Sequence, residues 1–353
     1  MRIGIPREIK TLEGRVALVP EAAGELVRAG HQVLVERDAG LLSGYPDAAY
    51  EAVGVEAVAD AATLYGEAEM VVKVKEPQPE ELGYLRPDHL LFGYLHLAAA
   101  PELTRALLET GLTAVGFETV AEAGHLPLLA PMSDIAGRVA VQTGANLLYH
   151  HHGGKGLLLG GVPAADRGHV VVLGAGVVGA AAAEVAARLG ARVTVFDRNR
   201  DKLERMRTLG PNVTGLHAFA SGIEAAVAAA DVLVGAVLVV GARAPHLVSA
   251  EQVRTMQDGS VILDVSVDQG GCIETTRPTS YAEPTFVWEG VVHYGVTNMP
   301  GAVPRTASQA LSAALVPYVL RLAQAGWEQD PALAAGVNVR GGERVHPALR
   351  ADD

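Results

Sequence analysis

The stretch His169-Val-Val-Val-Leu-Gly-Ala-Gly-Val-Val-Gly-Ala-Ala-Ala-Ala-Glu-Val-Ala-Ala-Arg-Leu-Gly-Ala-Arg-Val-Thr-Val-Phe-Asp197 reads as a buried strand, a Gly-x-Gly-x-x-Gly turn, an alanine-rich helix and a second strand ending in an acid. A glycine triplet alone is weak, but this one has its complete βαβ surroundings. Gly174 permits the tight turn, Gly176 lets the backbone approach a pyrophosphate, and Gly179 lets helix and strand pack closely. The helix N-terminus offers N–H groups and a positive dipole end to phosphates. Asp197 lies 18 residues past Gly179, near the spacing at which an acid accepts the ribose hydroxyls. The same acid repels a 2′-phosphate, so NAD is expected over NADP, although the adjacent Arg198 pulls the other way. The alternative is a turn that merely tolerates glycine. Nearly half the chain precedes the triplet, and something else must occupy it.

Length bounds what that is: 353 residues favour about two domains. A hydrophobic content of 49% with 19% charged residues suits a compact enzyme with a large core. The 28 basic and 40 acidic residues leave a formal charge of −12, which argues against nucleic acid or an anionic membrane as the main partner. The single cysteine, Cys272, rules out an intramolecular disulfide and fits a reducing cytoplasm; with no supporting motif around it, packing is its expected role. The N-terminal Met1-Arg-Ile-Gly-Ile-Pro6 reads as a strand, not a signal peptide, and apolar runs such as 232–240 are too short to span a bilayer.

Short apolar strands alternate with helical patterns from end to end, which predicts parallel sheets in α/β layers. Before the fingerprint, strands are expected over residues 2–6, 32–36, 70–75, 90–95 and 112–117, with helices over 20–29, 47–53, 59–66 and 101–110. That is a doubly wound domain without a glycine fingerprint. A helix follows over about 133–149, and the later strands fall at 212–217, 232–237, 260–265 and 291–296. From Pro304 a helix of about twenty residues places Ala307, Ala310, Leu311, Ala314, Leu315, Tyr318 and Leu322 on one stripe. If it returns to the first domain, that domain is discontinuous: residues 1–129 and 305–353 for substrate, with 130–304 as the NAD-binding Rossmann domain.

Three candidates precede the fingerprint. Arg15 follows the first strand, where loop residues face a substrate cleft, and an arginine there can grip a carboxylate bidentately; a solvated surface arginine is the alternative. Lys75 ends the run Met70-Val-Val-Lys-Val-Lys75, with strand alternation placing Lys73 on its face; a snorkelling lysine is the competing reading. His96 closes Leu90-Leu-Phe-Gly-Tyr-Leu-His96 at a strand's carboxyl end, as a general acid–base residue or a satisfied core histidine. Beyond the fingerprint, Ser260-Val-Ile-Leu-Asp-Val-Ser-Val-Asp-Gln-Gly-Gly271 offers Asp268, placed to meet a ligand, and Asp264, placed for structural hydrogen bonding. Asn298 lies past another strand end, near the nicotinamide or simply in a turn. His150, His151 and His152 invite a metal, but adjacent histidines on a helix diverge and no cysteine or carboxylate cluster supports them, so no metal is expected.

Together these segments resemble the alanine dehydrogenase family, within the group that includes the transhydrogenase alpha subunit. The matching segments are Gly4-Ile-Pro-Arg-Glu-Ile-Lys10 with Arg15-Val-Ala-Leu18, Val72-Lys-Val-Lys-Glu-Pro77, Tyr94-Leu-His-Leu-Ala98, Ala130-Pro-Met-Ser-Asp-Ile-Ala-Gly-Arg138, the fingerprint, Asp264–Thr275 and Thr297–Thr306. The resemblance implies reversible NAD-dependent oxidative deamination of L-alanine to pyruvate and ammonia by a homohexamer. It implies that Arg15 and Lys75 hold the substrate's carboxylate and carbonyl oxygen, that His96 is the acid–base residue, and that Asp268 assists the water or ammonia steps. Tyr94, Met132 and Ser133 would line the junction. Asp197 and Lys202 would contact the adenosine ribose and Ser221 the cofactor, with Val177, Val178, Val237, Leu238, Val265, Val267, Asp268, Asn298 and Met299 also along it. Thr11, Leu12 and Gly14 depart from the asparagine-rich sequence more usual before that arginine, as do the three adjacent histidines.

Overall fold

The computed structural model describes residues 1–237 and 245–350; Leu238, expected at the cofactor, lies outside the described residues. The chain divides into two compact units, Met1–Met132 with Val303–Asp353, and Ser133–Ala302.

The first unit begins with strands β1 (Arg2–Ile5), β2 (Gln32–Glu36), β3 (Glu56–Val58), β4 (Met70–Val72), β5 (Leu90–Gly93) and β6 (Thr113–Gly116), all parallel where they pair. The chain builds outward from β1 through β2 to β3, then returns to β4 on the other side of β1. The winding direction therefore reverses between β1 and β4, the switch point outside which open α/β sheets bind ligands. The segments leaving these two strands carry Arg15 and Lys73–Lys75.

The second unit contains β7 (His169–Leu173), β8 (Arg192–Asp197), β9 (Val213–His217), β10 (Val232–Gly235), β11 (Val261–Asp264), β12 (Thr285–Trp288) and β13 (Val291–Tyr294). Its sheet runs β12-β13-β11-β10-β7-β8-β9, with the switch point between β7 and β10 and the glycine turn on the carboxyl end of β7. The strands of its centre are apolar and buried on both faces, as parallel strands covered by helices must be. The chain then returns to the first unit, where β14 (Val337–Arg340) and β15 (Glu343–Arg344) extend the sheet beyond β6.

The parallel sheets expected from the sequence carry antiparallel strands at their edges. β12 pairs antiparallel with β13, β14 with β6, and β15 with β14. The first and last of these pairs are joined by two-residue turns with left-handed backbone, Glu289-Gly290 and Gly341-Gly342, the hairpin connection whose twist matches the strands. The strand expected over 70–75 also ends early, at Val72. The amides of Val74 and Lys75 turn instead to the carboxylate of Glu8, 2.6 and 3.3 Å from Oε1, so strand alternation does not relate Lys73 to Lys75.

The helix Pro304–Leu322 buries Ala307, Leu311, Leu315, Tyr318, Val319 and Leu322, and also two serines on the same stripe. Ser308 and Ser312 each accept a backbone N–H at 2.9 Å, from Val16 and Val19, and so anchor the loop that carries Arg15. Among the described residues no helix is long and apolar enough to cross a membrane.

Candidate functional site

Arg15 is not a solvated arginine: it is 3% exposed. Glu13 accepts from its Nε at 2.7 Å and its Nη2 at 2.6 Å, and from its backbone N–H at 3.0 Å. Nη1 lies 3.2 Å from the Met132 sulfur. Burial opposes the guanidinium charge, but the hydrogen bonds and charge of Glu13 outweigh it and raise the arginine's pKa. Burial likewise opposes the Glu13 charge, and Arg15 overcomes it, lowering the carboxyl's pKa. A bidentate grip on a substrate therefore cannot use the Nε–Nη2 edge, because Glu13 holds it.

Lys75 stands in the field of this pair and of a second, Lys10 with Glu76. Burial comes first in holding its pKa below that of an ordinary lysine, followed by the charges of Arg15 and Lys10. Among the described residues Lys10 and Arg15 each have a paired carboxylate and the Lys75 ammonium has none. An ammonium kept partly out of water beside an arginine is a receptor for a small carboxylate.

Tyr94 is 4% exposed, packs edge-to-face on Phe117 with ring centroids 4.9 Å apart, and donates from its hydroxyl to the Leu128 carbonyl at 2.6 Å. The exposed ring of His96 lies parallel to that of Tyr94, with 6° between their planes. Its backbone is left-handed, φ +48°, a conformation that non-glycine residues adopt rarely. The Glu118 carboxylate holds it there, accepting from the His96 N–H at 2.7 Å and from the Leu95 N–H at 3.3 Å. His96 is therefore not a satisfied core histidine but an imidazole presented from a strained turn.

In the second unit the three glycines have three distinct reasons. Gly174 has φ +101°, and a Cβ there would lie 2.6 Å from the Ala236 carbonyl oxygen. A Cβ on Gly179 would lie 1.8 Å from the Gly174 oxygen. Among the described residues Gly176 has no neighbour within 4 Å of a Cβ. Val177 is exposed and Val178 half-buried at the start of the helix Val177–Arg188. Asp197 accepts the Ala175 N–H on Oδ2 at 2.7 Å and the Asn199 N–H on Oδ1 at 2.8 Å, which ties the acid to the glycine turn and leaves lone pairs on both oxygens for hydroxyl donors.

The remaining expected contacts of this unit fall as follows. Ser133 and Lys202 are half-buried and Ser221 is exposed at the start of the helix Ala220–Ala228. Val237 offers its carbonyl to the Ser266 hydroxyl at 2.8 Å; Val265 is half-buried and Val267 buried. Asp268 is exposed in the short helical turn Val267–Gln269. Asn298 has φ +60°, and Met299 is buried in the core with its carbonyl accepting from Tyr281. Asp264 is fully buried: it accepts from Ser266 and Cys272 N–H at 3.0 Å, Ile273 N–H at 3.3 Å and the Thr276 hydroxyl at 2.7 Å. Burial pushes its carboxyl up against those donors. Asp264→Ala would leave the three N–H groups unsatisfied, and it is expected to lower the unfolding free energy by about 3 kcal/mol in a denaturant titration. Cys272 is buried beside it, and burial pushes its thiol well up, as suits a packing residue.

Sequence reasoning passed over the carboxylates that hold the site: Glu8, Glu13 and Glu118. Their immediate neighbours gave no signal: Glu8 is flanked by Arg7 and Ile9, Glu13 by Leu12 and Gly14, and Glu118 by Phe117 and Thr119. Lys73, between two valines, did carry one, a charge amid apolar neighbours, and it is 0% exposed.

Comparison with known proteins agrees with this architecture. The N-terminal domain of alanine dehydrogenase/PNT matches residues 4–136, and the C-terminal domain matches residues 140–347. An alanine dehydrogenase of Halomonas elongata is 49% identical, across 99% of this chain and 96% of that protein. Among solved structures, an L-alanine dehydrogenase superposes with a TM-score of 0.96 at 53% identity, over 99% of this chain and 98% of that one. A transhydrogenase from Sinorhizobium meliloti gives 0.86 at 27% identity, over 99% of this chain and 100% of the other. The fold, the paired domain matches and this full-length identity place the chain in the alanine dehydrogenase/PNT family.

Proposed function

We propose that this protein is an NAD-dependent L-alanine dehydrogenase, converting L-alanine and water reversibly to pyruvate and ammonia. The observation that carries the reading is the Lys75 ammonium, without a paired carboxylate among the described residues, beside the Glu13-braced Arg15. These two cations bind the substrate carboxylate and, in the keto acid, polarise the carbonyl oxygen. The imidazole of His96 takes the proton from the attacking water and returns one to the departing amine. Asp268 assists these water and ammonia steps. Tyr94 and Met132 shape the pocket around the alanine methyl group.

The glycine turn and Asp197 fit a dinucleotide: the open space at Gly176 admits a pyrophosphate, and both Asp197 oxygens retain capacity for ribose hydroxyls. NAD supplies the hydride acceptor for the alanine Cα hydrogen. Val177, Val178 and Gly179 present backbone N–H groups to its phosphates, and Lys202, Ser133, Ser221, Val237, Val265, Val267, Asn298 and Met299 complete its surroundings. Residues 1–129 and 305–353 select the substrate and 130–304 hold the nucleotide. The reading extends to a cytoplasmic homohexamer, for which light scattering gives the mass.

Purified protein given NAD and a panel of L-amino acids is expected to form NADH with alanine, and to prefer NAD to NADP. Absence of alanine-dependent NADH sinks the reading. Hydride exchange between two nucleotides, with no amino acid needed, would assign the transhydrogenase reaction instead.

A further inference from the structure

The two units repeat one detail at their switch points. Asp197, at the end of β8, accepts the N–H of Ala175, two residues past β7; Glu36, at the end of β2, accepts the N–H of Arg7, two residues past β1, at 2.9 Å. Counted from those strand ends, Pro6 stands where the second unit has Gly174, and Glu8 stands where it has Gly176. The position that makes room for a ligand's anion in one unit carries an anion of its own in the other.

The Glu8 carboxylate is buried, with 2% of its side chain exposed, and every contact it makes bears on the segment leading to Lys75. Oε1 accepts the N–H groups of Val74 and Lys75. Oε2 accepts from the Lys73 ammonium at 3.2 Å. That ammonium also donates to Glu81 at 3.1 Å and to the Glu76 carbonyl at 3.4 Å, which uses its three hydrogens. Glu81 in turn takes the Tyr65 hydroxyl at 2.9 Å and the Gln78 N–H at 2.7 Å. Residues 73–78 are thus gripped at four backbone groups by one buried Glu–Lys–Glu assembly. Gly93 lets them lie close, since a Cβ there would be 2.9 Å from the Lys73 carbonyl oxygen.

Such an assembly is a poor device for stability alone. Desolvating two carboxylates and an ammonium costs about what their attraction returns, and an apolar core of equal volume does as well. The lysine stays protonated: burial opposes its charge, but Glu8 and Glu81 outweigh it. One lysine cannot neutralise two acids, so burial, against the Lys73 charge, leaves Glu8 with a raised pKa. What the assembly does provide is a fixed path for the chain after β4, in which the amides leave the sheet ladder and Lys75 is directed at a defined place.

We propose that Glu8 is a positioning residue for Lys75, an internal anion at the switch point that holds the backbone from which the substrate-binding ammonium projects. The proposal rests on the assignment of Lys75 to substrate in the reading above. Glu8→Ala and Glu8→Gln test it, because the amide of glutamine keeps an oxygen for the Val74 and Lys75 N–H groups and alanine does not. Hydrogen exchange over residues 70–76 is read first, since it needs no substrate. Glu8→Ala is expected to speed exchange at Val74 and Lys75 by about tenfold or more, with Glu8→Gln close to native. Kinetics follow: Glu8→Ala raises KM for alanine about tenfold while KM for NAD stays within about twofold, and Glu8→Gln restores most of the difference.

Unchanged exchange in soluble Glu8→Ala overturns the proposal whether or not alanine is the substrate. Faster exchange with equal rises in both KM values also overturns it, because a general loosening does that. If Glu8→Ala does not fold, Glu8→Gln decides: native-like exchange with a selective alanine effect of about threefold or less supports the clamp, and equal loss for both substrates refutes it. Failure of the native protein to oxidise alanine counts against the functional reading and leaves the exchange result to judge the clamp.

Discussion

Replacing His96 with asparagine is expected to lower kcat by about 10²–10⁴-fold, the usual worth of a positioned acid–base group, and to leave NAD affinity within about twofold of native. Asparagine is the informative substitution because residue 96 has φ +48°, and asparagine tolerates the left-handed region where most side chains do not. The turn therefore keeps its shape, the 96 N–H keeps its bond to Glu118, and only the imidazole is lost. His96→Ala removes the same group but adds backbone strain of about 1 kcal/mol, so the two variants separate chemistry from local stability. Stopped-flow or steady-state NADH formation gives kcat, and quenching of protein fluorescence by NADH gives binding. Retention of more than about a tenth of native turnover in His96→Asn removes the histidine from the proton-transfer role.

That left-handed turn also shows where sequence reading stops. Leu90-Leu-Phe-Gly-Tyr-Leu-His96 is a continuous apolar run, and its pattern places the strand and puts the histidine at its carboxyl end. It contains nothing about the conformation of residue 96, because the carboxylate that fixes it belongs to Glu118, 22 residues on. The same holds for Lys75. Period-two alternation extends the strand through it, but the strand ends at Val72 and a glutamate 67 residues earlier takes the Lys75 amide. The apolar strands and the glycine triplet were legible because burial and close approach act on neighbouring residues. The partners of these carboxylates were not, since Glu13, Glu8 and Glu118 are indistinguishable in sequence from solvated acids. The edge hairpins were missed for a third reason: β14 and β15 are four and two residues long, too short for a period to establish itself, and only Gly341-Gly342 marks the turn.

Gly176→Ala and Gly179→Ala are expected to fail in opposite ways. A Cβ at Gly179 would meet the Gly174 carbonyl oxygen at 1.8 Å and its carbon at 2.9 Å, both backbone atoms of the turn itself. Relief requires moving the helix Val177–Arg188 away from β7, against a core in which Ala182, Ala183 and Ala186 are already buried without exposure. The cost is about 3 kcal/mol or more, and it appears as a lower melting temperature with or without nucleotide. Gly176 is different: φ −73° and ψ −165° suit any residue, and among the described residues no atom lies within 4 Å of the added methyl. Alanine there is stability-neutral or gains about 0.5 kcal/mol through the unfolded chain. The methyl instead projects where a pyrophosphate must approach the backbone, so KM for NAD should rise by about tenfold or more and the stabilisation that NAD confers on melting should shrink accordingly. A Gly176→Ala protein that binds NAD like the native one would show that the open space faces no nucleotide. A Gly179→Ala protein that melts normally would show that helix and strand are not locked at that contact.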